Sequence, residues 1–168
     1  MDTSKQEIRF EIPAYLEFVP GLRSAMSRIA GVIGFNNKEM YEIETVTDEI
    51  CTNAIEHGSK GPDKYITVEC KFDKKYMEII VKDSGSPHFN VEHAFKEGKR
   101  LMEEEAAKPL LDTIRRQRGL MIVKSYVDSL DITSHSNGTV VKMTKRGKEA
   151  YGTPPNVSLN KKASQDIC

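Results

Sequence analysis

Apolar and charged residues alternate from Glu7 to Ile12, with Ile8, Phe10 and Ile12 on one side. A period of two predicts a strand with one buried face. The period then lengthens. Leu22, Met26, Ile29 and Ile33 recur at helical spacing and predict a helix from Leu22 to Ile33, behind the punctuation of Pro13 and Pro20–Gly21. Gly34 and the Asn36–Asn37 pair interrupt it, and asparagine suits the cap of a new helix. That second helix is predicted from Lys38 to His57 on the stripe Ile43, Val46, Ile50 and Ala54, with Gly58 at a left-handed C-terminal position.

Period two returns in Tyr65–Phe72, through Ile66, Val68 and Cys70, and in Tyr76–Val81, through Met77, Ile79 and Val81. Asp73–Lys74–Lys75 forms the turn between them. From Ser84 to Gln117 the pattern fades into a polar stretch that holds a charged helix near Val91–Ala107, ended by Pro109. So long a polar insertion between patterned elements is a candidate lid. A short helix opens at Gly119 with Leu120, Ile122, Val123 and Val127, and strands Leu130–Ser134 and Thr139–Thr144 join through Ser136–Asn137–Gly138. The order of elements predicts an α/β two-layer sandwich, a mixed sheet with helices on one face. Residues 1–148 form the domain. Residues 149–168, polar and without period, are expected to be a disordered tail.

Composition narrows the function classes. In 168 residues, 25 basic and 25 acidic side chains cancel, so no overall field draws the chain to nucleic acid or membrane, and an anion needs a local site. Cys51, Cys70 and Cys168 show no paired spacing and suggest neither a disulfide framework nor a zinc site. No apolar run reaches the roughly 18–20 residues of a spanning helix, and the N-terminus lacks a signal-peptide core. A cytoplasmic location is expected.

Four stretches hold chemistry-bearing residues. Glu49, Asn53 and His57 are four apart on the second helix, so they form one polar row. Asn53 suits a magnesium ion and Glu49 a proton acceptor, although such rows are commonly a solvated helix face. In VKDSGSPHF, Asp83 ends a strand and Gly85 permits close approach; the carboxylate suits an adenine amino group, or simply closes an Asx turn. In IRRQRGLMIVKSYVD, Gly119 opens a helix beside Arg115, Arg116 and Arg118, a natural phosphate position or a solvated basic loop. In SNGTVVKMTKR, Thr139 follows a hairpin turn.

In this order the four stretches resemble the GHKL ATPase superfamily, shared by gyrase B, MutL and histidine kinases. Within it they are most similar to the bacterial anti-sigma-factor serine kinases of sporulation and general stress response. VTDEICTNAIEHGSK resembles the N-box, VKDSGSPHF and RRQRGLMIVKSYVD the two glycine boxes, and SNGTVVKMTKR the last motif. The likeness runs from about Ile8 to Arg146 and implies a Bergerat-type ATP-binding fold. It implies that Glu49 is the catalytic base, Asn53 the magnesium ligand and Asp83 the adenine acceptor beside Gly85. It further places Gly119 at the phosphates, Thr139 near the base, Arg115 in a lid at the terminal phosphate, Arg23 at a partner interface and His57 in a structural role. The implied function is dual, with ATP and Mg²⁺ as cofactors. The chain would sequester a sigma factor and phosphorylate a serine of its anti-sigma antagonist, as a homodimer. Two positions depart from the pattern, since Pro87 and Gln117 stand where the boxes carry glycine. They define the alternative, a catalytically weak nucleotide-binding module acting by protein binding.

Overall fold

The computed structural model describes residues 6–59, 63–85, 100 and 119–148. Pro87, the predicted helix Val91–Ala107, Arg115 and its neighbouring arginines, Gln117 and the tail lie outside the described residues.

The first strand, β1 (Gln6–Pro13), tolerates its terminal proline because it lies at the sheet edge. A 3-10 turn, Leu16–Phe18, leads into α1 (Val19–Val32). This helix begins three residues earlier than its periodicity predicts. Pro20 sits in the first turn, where a missing N–H costs nothing and the fixed φ suits a helix. Gly34 ends the connection at φ 99°, a left-handed backbone that glycine adopts without strain. Asn36 then caps α2 (Asn37–Asn53) in a full capping box. Its Oδ1 accepts the Glu39 N–H at 3.0 Å, and Glu39 Oε2 accepts the Asn36 N–H at 2.9 Å.

The hairpin β2 (Tyr65–Asp73) and β3 (Tyr76–Lys82) follows, then α3 (Gly119–Tyr126) and the hairpin β4 (Ser129–His135) and β5 (Gly138–Arg146). The sheet order is β1-β2-β3-β5-β4. The two-layer sandwich stands as predicted, but the sheet is not mixed: every described ladder is antiparallel. Two helices between β1 and β2 carry the chain down and back, which returns it antiparallel. β4 runs in the direction of β3, yet β5 lies between them and no parallel pair forms.

Register sets the buried face. Ile8 pairs with Cys70, Phe10 with Val68 and Ile12 with Ile66, while Val68 pairs with Val81 and Cys70 with Ile79. Ile79 and Val81 continue to Met143 and Val141. Against this face pack Leu22, Met26 and Ala30 of α1 and Ile43, Val46 and Ile50 of α2. The buried Cys51 and Cys70 are free thiols, and burial pushes each up to about 12, so neither offers a thiolate at neutral pH. The opposite face is polar, with Glu69 paired to Lys82 at 2.7 Å and Glu78 to Lys142 at 3.0 Å. The core therefore lies on one side of the sheet, and the helices cover it.

Candidate functional site

Helix α2 does not continue regularly to His57. After Asn53 it widens into a single π-turn, Ala54–Gly58, closed by the Ser59 N–H on the Ala54 carbonyl at 2.8 Å. Such insertions recur at functional positions because they re-aim the last turn of a helix. Gly58, expected at a left-handed position, is not among the residues of positive φ. Its smallness serves another purpose, since a Cβ there would meet the Asp83 carboxylate.

Asp83, just past β3, joins three segments. Its N–H donates to the Thr139 carbonyl at 3.1 Å. Its Oδ1 accepts the Gly85 N–H at 2.9 Å, an Asx turn, and the Thr139 N–H at 3.2 Å. Its Oδ2 accepts no hydrogen bond from a described residue. Next to it the buried Ser59 hydroxyl donates to the Tyr65 carbonyl at 3.2 Å and accepts the Ser84 N–H at 3.1 Å, which leaves the Ser84 hydroxyl as donor in their 3.3 Å contact. Glycines make this approach possible. A Cβ on Gly85 would enter the Gly58 backbone, and one on Gly138, at φ 142°, would enter the Asp83 carbonyl.

These segments wall a cleft of about 410 Å³, open to solvent. Asn53 and Asp83 line it with Thr139, against an apolar wall of Ile50, Leu120, Ile132 and Val141. That lining, apolar with a few polar groups, suits a small organic ligand with a few polar anchors. Neither the Asn53 amide nor the Thr139 hydroxyl is bonded to a described residue, although Thr139 is only 6% exposed.

Gly119, the first residue of α3, stands against Glu49, and a Cβ there would strike the Glu49 carboxylate. Burial, then the charges of Asp48 and Glu56, push the Glu49 carboxyl above the usual carboxylate range. A half-buried carboxylate raised in this way suits a proton acceptor. The structure thus brings Asn53, Asp83, Gly85 and Thr139 together, and Glu49 and Gly119 to the side marked by Leu120. Arg23 sits elsewhere. Its guanidinium bonds Asp48 at 2.9 Å and lies 3.6 Å from Glu44, tying α1 to α2. Arg115 lies outside the described residues.

Among the described residues, no group of three His, Cys, Asp or Glu side chains is placed to hold a metal ion. Magnesium does not require one, because phosphate and water oxygens complete its shell around one protein ligand. The unbonded Asn53 amide at the cleft fits that demand. Sequence reasoning missed Gly58, whose role depends on a residue 25 positions away, and the apolar wall from β4 and β5. The alternation of Ile132 and Val141 carried that second signal.

The model of the histidine kinase-like ATPase domain matches residues 12–145, and the chain belongs to that family. The fold is accordingly that of the GHKL ATPases. Among individual relatives, the serine-protein kinase RsbW of Halalkalibacterium halodurans is 30% identical over 141 residues, 83% of each chain. RsbW of Bacillus cereus is 28% identical over 141 residues, covering 83% of this chain and 84% of that one. A crystal structure of the RsbU and RsbW domains of a Mycobacterium tuberculosis protein superposes with a TM-score of 0.58 at 17% identity, over 84% of this chain. The chain spans 32% of that solved one, and the likeness speaks for the fold. Among the described residues no helix is long and apolar enough to cross a membrane.

Proposed function

We propose that the chain is an ATP-dependent serine-protein kinase that also sequesters a sigma factor. The observation that supports this best is the convergence of Asn53, Asp83 and Thr139 on one cleft, with Glu49 and Gly119 beside it. Kinship with proteins named serine-protein kinases supports this reading over a module that only binds.

In the proposed reaction Asp83 Oδ2 accepts the adenine amino group, and the Thr139 hydroxyl faces the same base. Asn53 holds a magnesium ion, whose chemistry is to offset phosphate charge. The N-terminal end of α3 at Gly119 directs N–H groups toward the phosphates. Glu49 takes the proton of the acceptor serine as its Oγ bonds to the γ-phosphorus and the bond to ADP breaks. Arg115 is proposed to reach the terminal phosphate. The acceptor is a serine of an anti-sigma antagonist protein, and Arg23 contributes to a partner surface. We place the protein in the cytoplasm as a homodimer, with residues 1–148 as the ATPase domain and 149–168 as an appended tail.

Calorimetric titration with ATP, with and without Mg²⁺, tests the site. Magnesium-dependent binding should be lost in Asn53→Ala. Phosphotransfer to the antagonist should fall by roughly 10²–10⁴ in Glu49→Ala. ATP affinity without phosphotransfer in the wild type would leave the nucleotide-binding module, and Glu49→Ala at wild-type rate would remove Glu49 from the mechanism.

A further inference from the structure

Lys145 is a lysine where the sheet should carry an apolar side chain. It lies on β5 two residues beyond the core residue Met143 and is only 8% exposed. Its ammonium is 2.7 Å from the Glu42 carboxylate of α2 and donates to the carbonyl of Tyr126, the last residue of α3. A cation there satisfies an orphan carbonyl and complements the negative end of the helix dipole.

Geometry shows what this contact holds. Helix α3 packs along α2, with its first residue, Gly119, against Glu49 and its last, Tyr126, joined through Lys145 to Glu42. Gly119 and Tyr126 are seven residues apart, as are Glu42 and Glu49. At a helical rise of about 1.5 Å per residue both spans measure roughly 10 Å. The two helices therefore run antiparallel with matched attachment points. The chain beyond α3 is pinned to β5 as well. The Asp128 N–H donates to the Thr144 carbonyl at 2.8 Å, and Asp128 Oδ2 accepts the Arg146 N–H at 2.7 Å.

We propose that Lys145 and Glu42 are positioning residues that fix α3 lengthwise along α2, so that the Gly119 end stays registered on Glu49. Sliding of α3 would move that end relative to Glu49 while leaving Asp83 and Thr139, which lie on other elements, in place. The catalytic consequence rests on the kinase reading; the anchoring itself does not.

The test is the full chain with Lys145→Met and Glu42→Met together, since replacing both members of a buried pair by apolar side chains of similar volume is commonly near neutral for stability. Two readouts decide. Hydrogen exchange of the Val123–Tyr126 amides, the ones of α3 that bond back within the helix, measured without ligand, should accelerate roughly tenfold while that of α1 and β2 holds. With antagonist as acceptor, kcat should fall roughly tenfold or more, with KM for ATP changed less than about threefold. Wild-type exchange at Val123–Tyr126 would overturn the anchor whether or not the protein is a kinase. Faster exchange with unchanged kcat would overturn its positioning role. Should the double variant not fold, the isosteric Glu42→Gln is judged by the same two readouts at about a threefold effect.

Discussion

Replacing Asp83 by asparagine separates its two oxygens. In the wild type Oδ1 accepts two backbone N–H groups, from Gly85 at 2.9 Å and Thr139 at 3.2 Å, while Oδ2, which accepts none from a described residue, is the proposed ligand acceptor. Asparagine retains the first oxygen as a carbonyl and puts an NH₂ in place of the second. The fold keeps both backbone bonds, now to a neutral acceptor, and should lose about 1 kcal/mol. An adenine amino group would instead meet a donor. Losing a hydrogen bond to a charged acceptor costs about 1.5–3 kcal/mol, or roughly 10- to 150-fold in affinity. Asp83→Ala removes both backbone bonds and should destabilise by about 2–4 kcal/mol. Titration calorimetry with Mg·ATP and urea unfolding of both variants form the assay. Wild-type ATP affinity in Asp83→Asn would refute the reasoning and reduce the carboxylate to a turn-former. Equal destabilisation by asparagine and alanine would refute the assignment of Oδ1 as the structural acceptor.

Two other predictions concern groups on α2. As the proposed proton acceptor Glu49 acts deprotonated, and its carboxyl is pushed above the ordinary range, so activity should rise with pH through that raised limb. Asp48→Asn removes one of the repelling charges and should move the limb to lower pH, though burial, the larger cause, keeps it from returning fully. A pH–rate profile at saturating ATP checks this, and a limb that stays or moves alkaline contradicts it. Glu39, only 4% exposed, closes the α2 capping box and accepts the Lys148 N–H at 2.6 Å. Glu39→Ala should cost about 2 kcal/mol in urea unfolding, and a loss below about 0.5 kcal/mol would show the clamp to be slack.

What was legible in the sequence follows from the range over which each feature is determined. The period-two runs through Val68 and Ile79 report a sheet face directly, because register on a buried face admits no slip of one residue. Asn36 announces a helix start because a cap acts within the first turn, although its partner Glu39 went unread. Features that depend on distant partners read wrongly or not at all. Gly58 looked like a helix cap, yet its neighbour is Asp83. Pro20 read as a break before α1 because its place in the first turn depends on where Val19 begins the helix. The π-turn after Asn53 leaves no local mark, since Ala54–Ile55 continue the apolar stripe of α2. Lys145 falls just beyond the predicted strand Thr139–Thr144, and its meaning arises only where Glu42 and the end of α3 meet it.

The two sequence readings of Asp83, the observed Asx turn and the proposed ligand acceptor, are compatible in the fold. A carboxylate has lone pairs enough for both. The turn consumes Oδ1 and the Thr139 N–H adds a second tether, so the side chain has no remaining freedom about its torsions. That fixes where Oδ2 points. Gly58, Gly85 and Gly138 hold three backbones close enough for this to occur, and each lacks a Cβ where one would collide. Ordering an acceptor in advance removes an entropic cost that a ligand would otherwise bear on binding. The same economy explains why the polar contacts of the cleft are mostly to backbone: peptide groups locked in a sheet are already oriented, whereas long side chains must be immobilised.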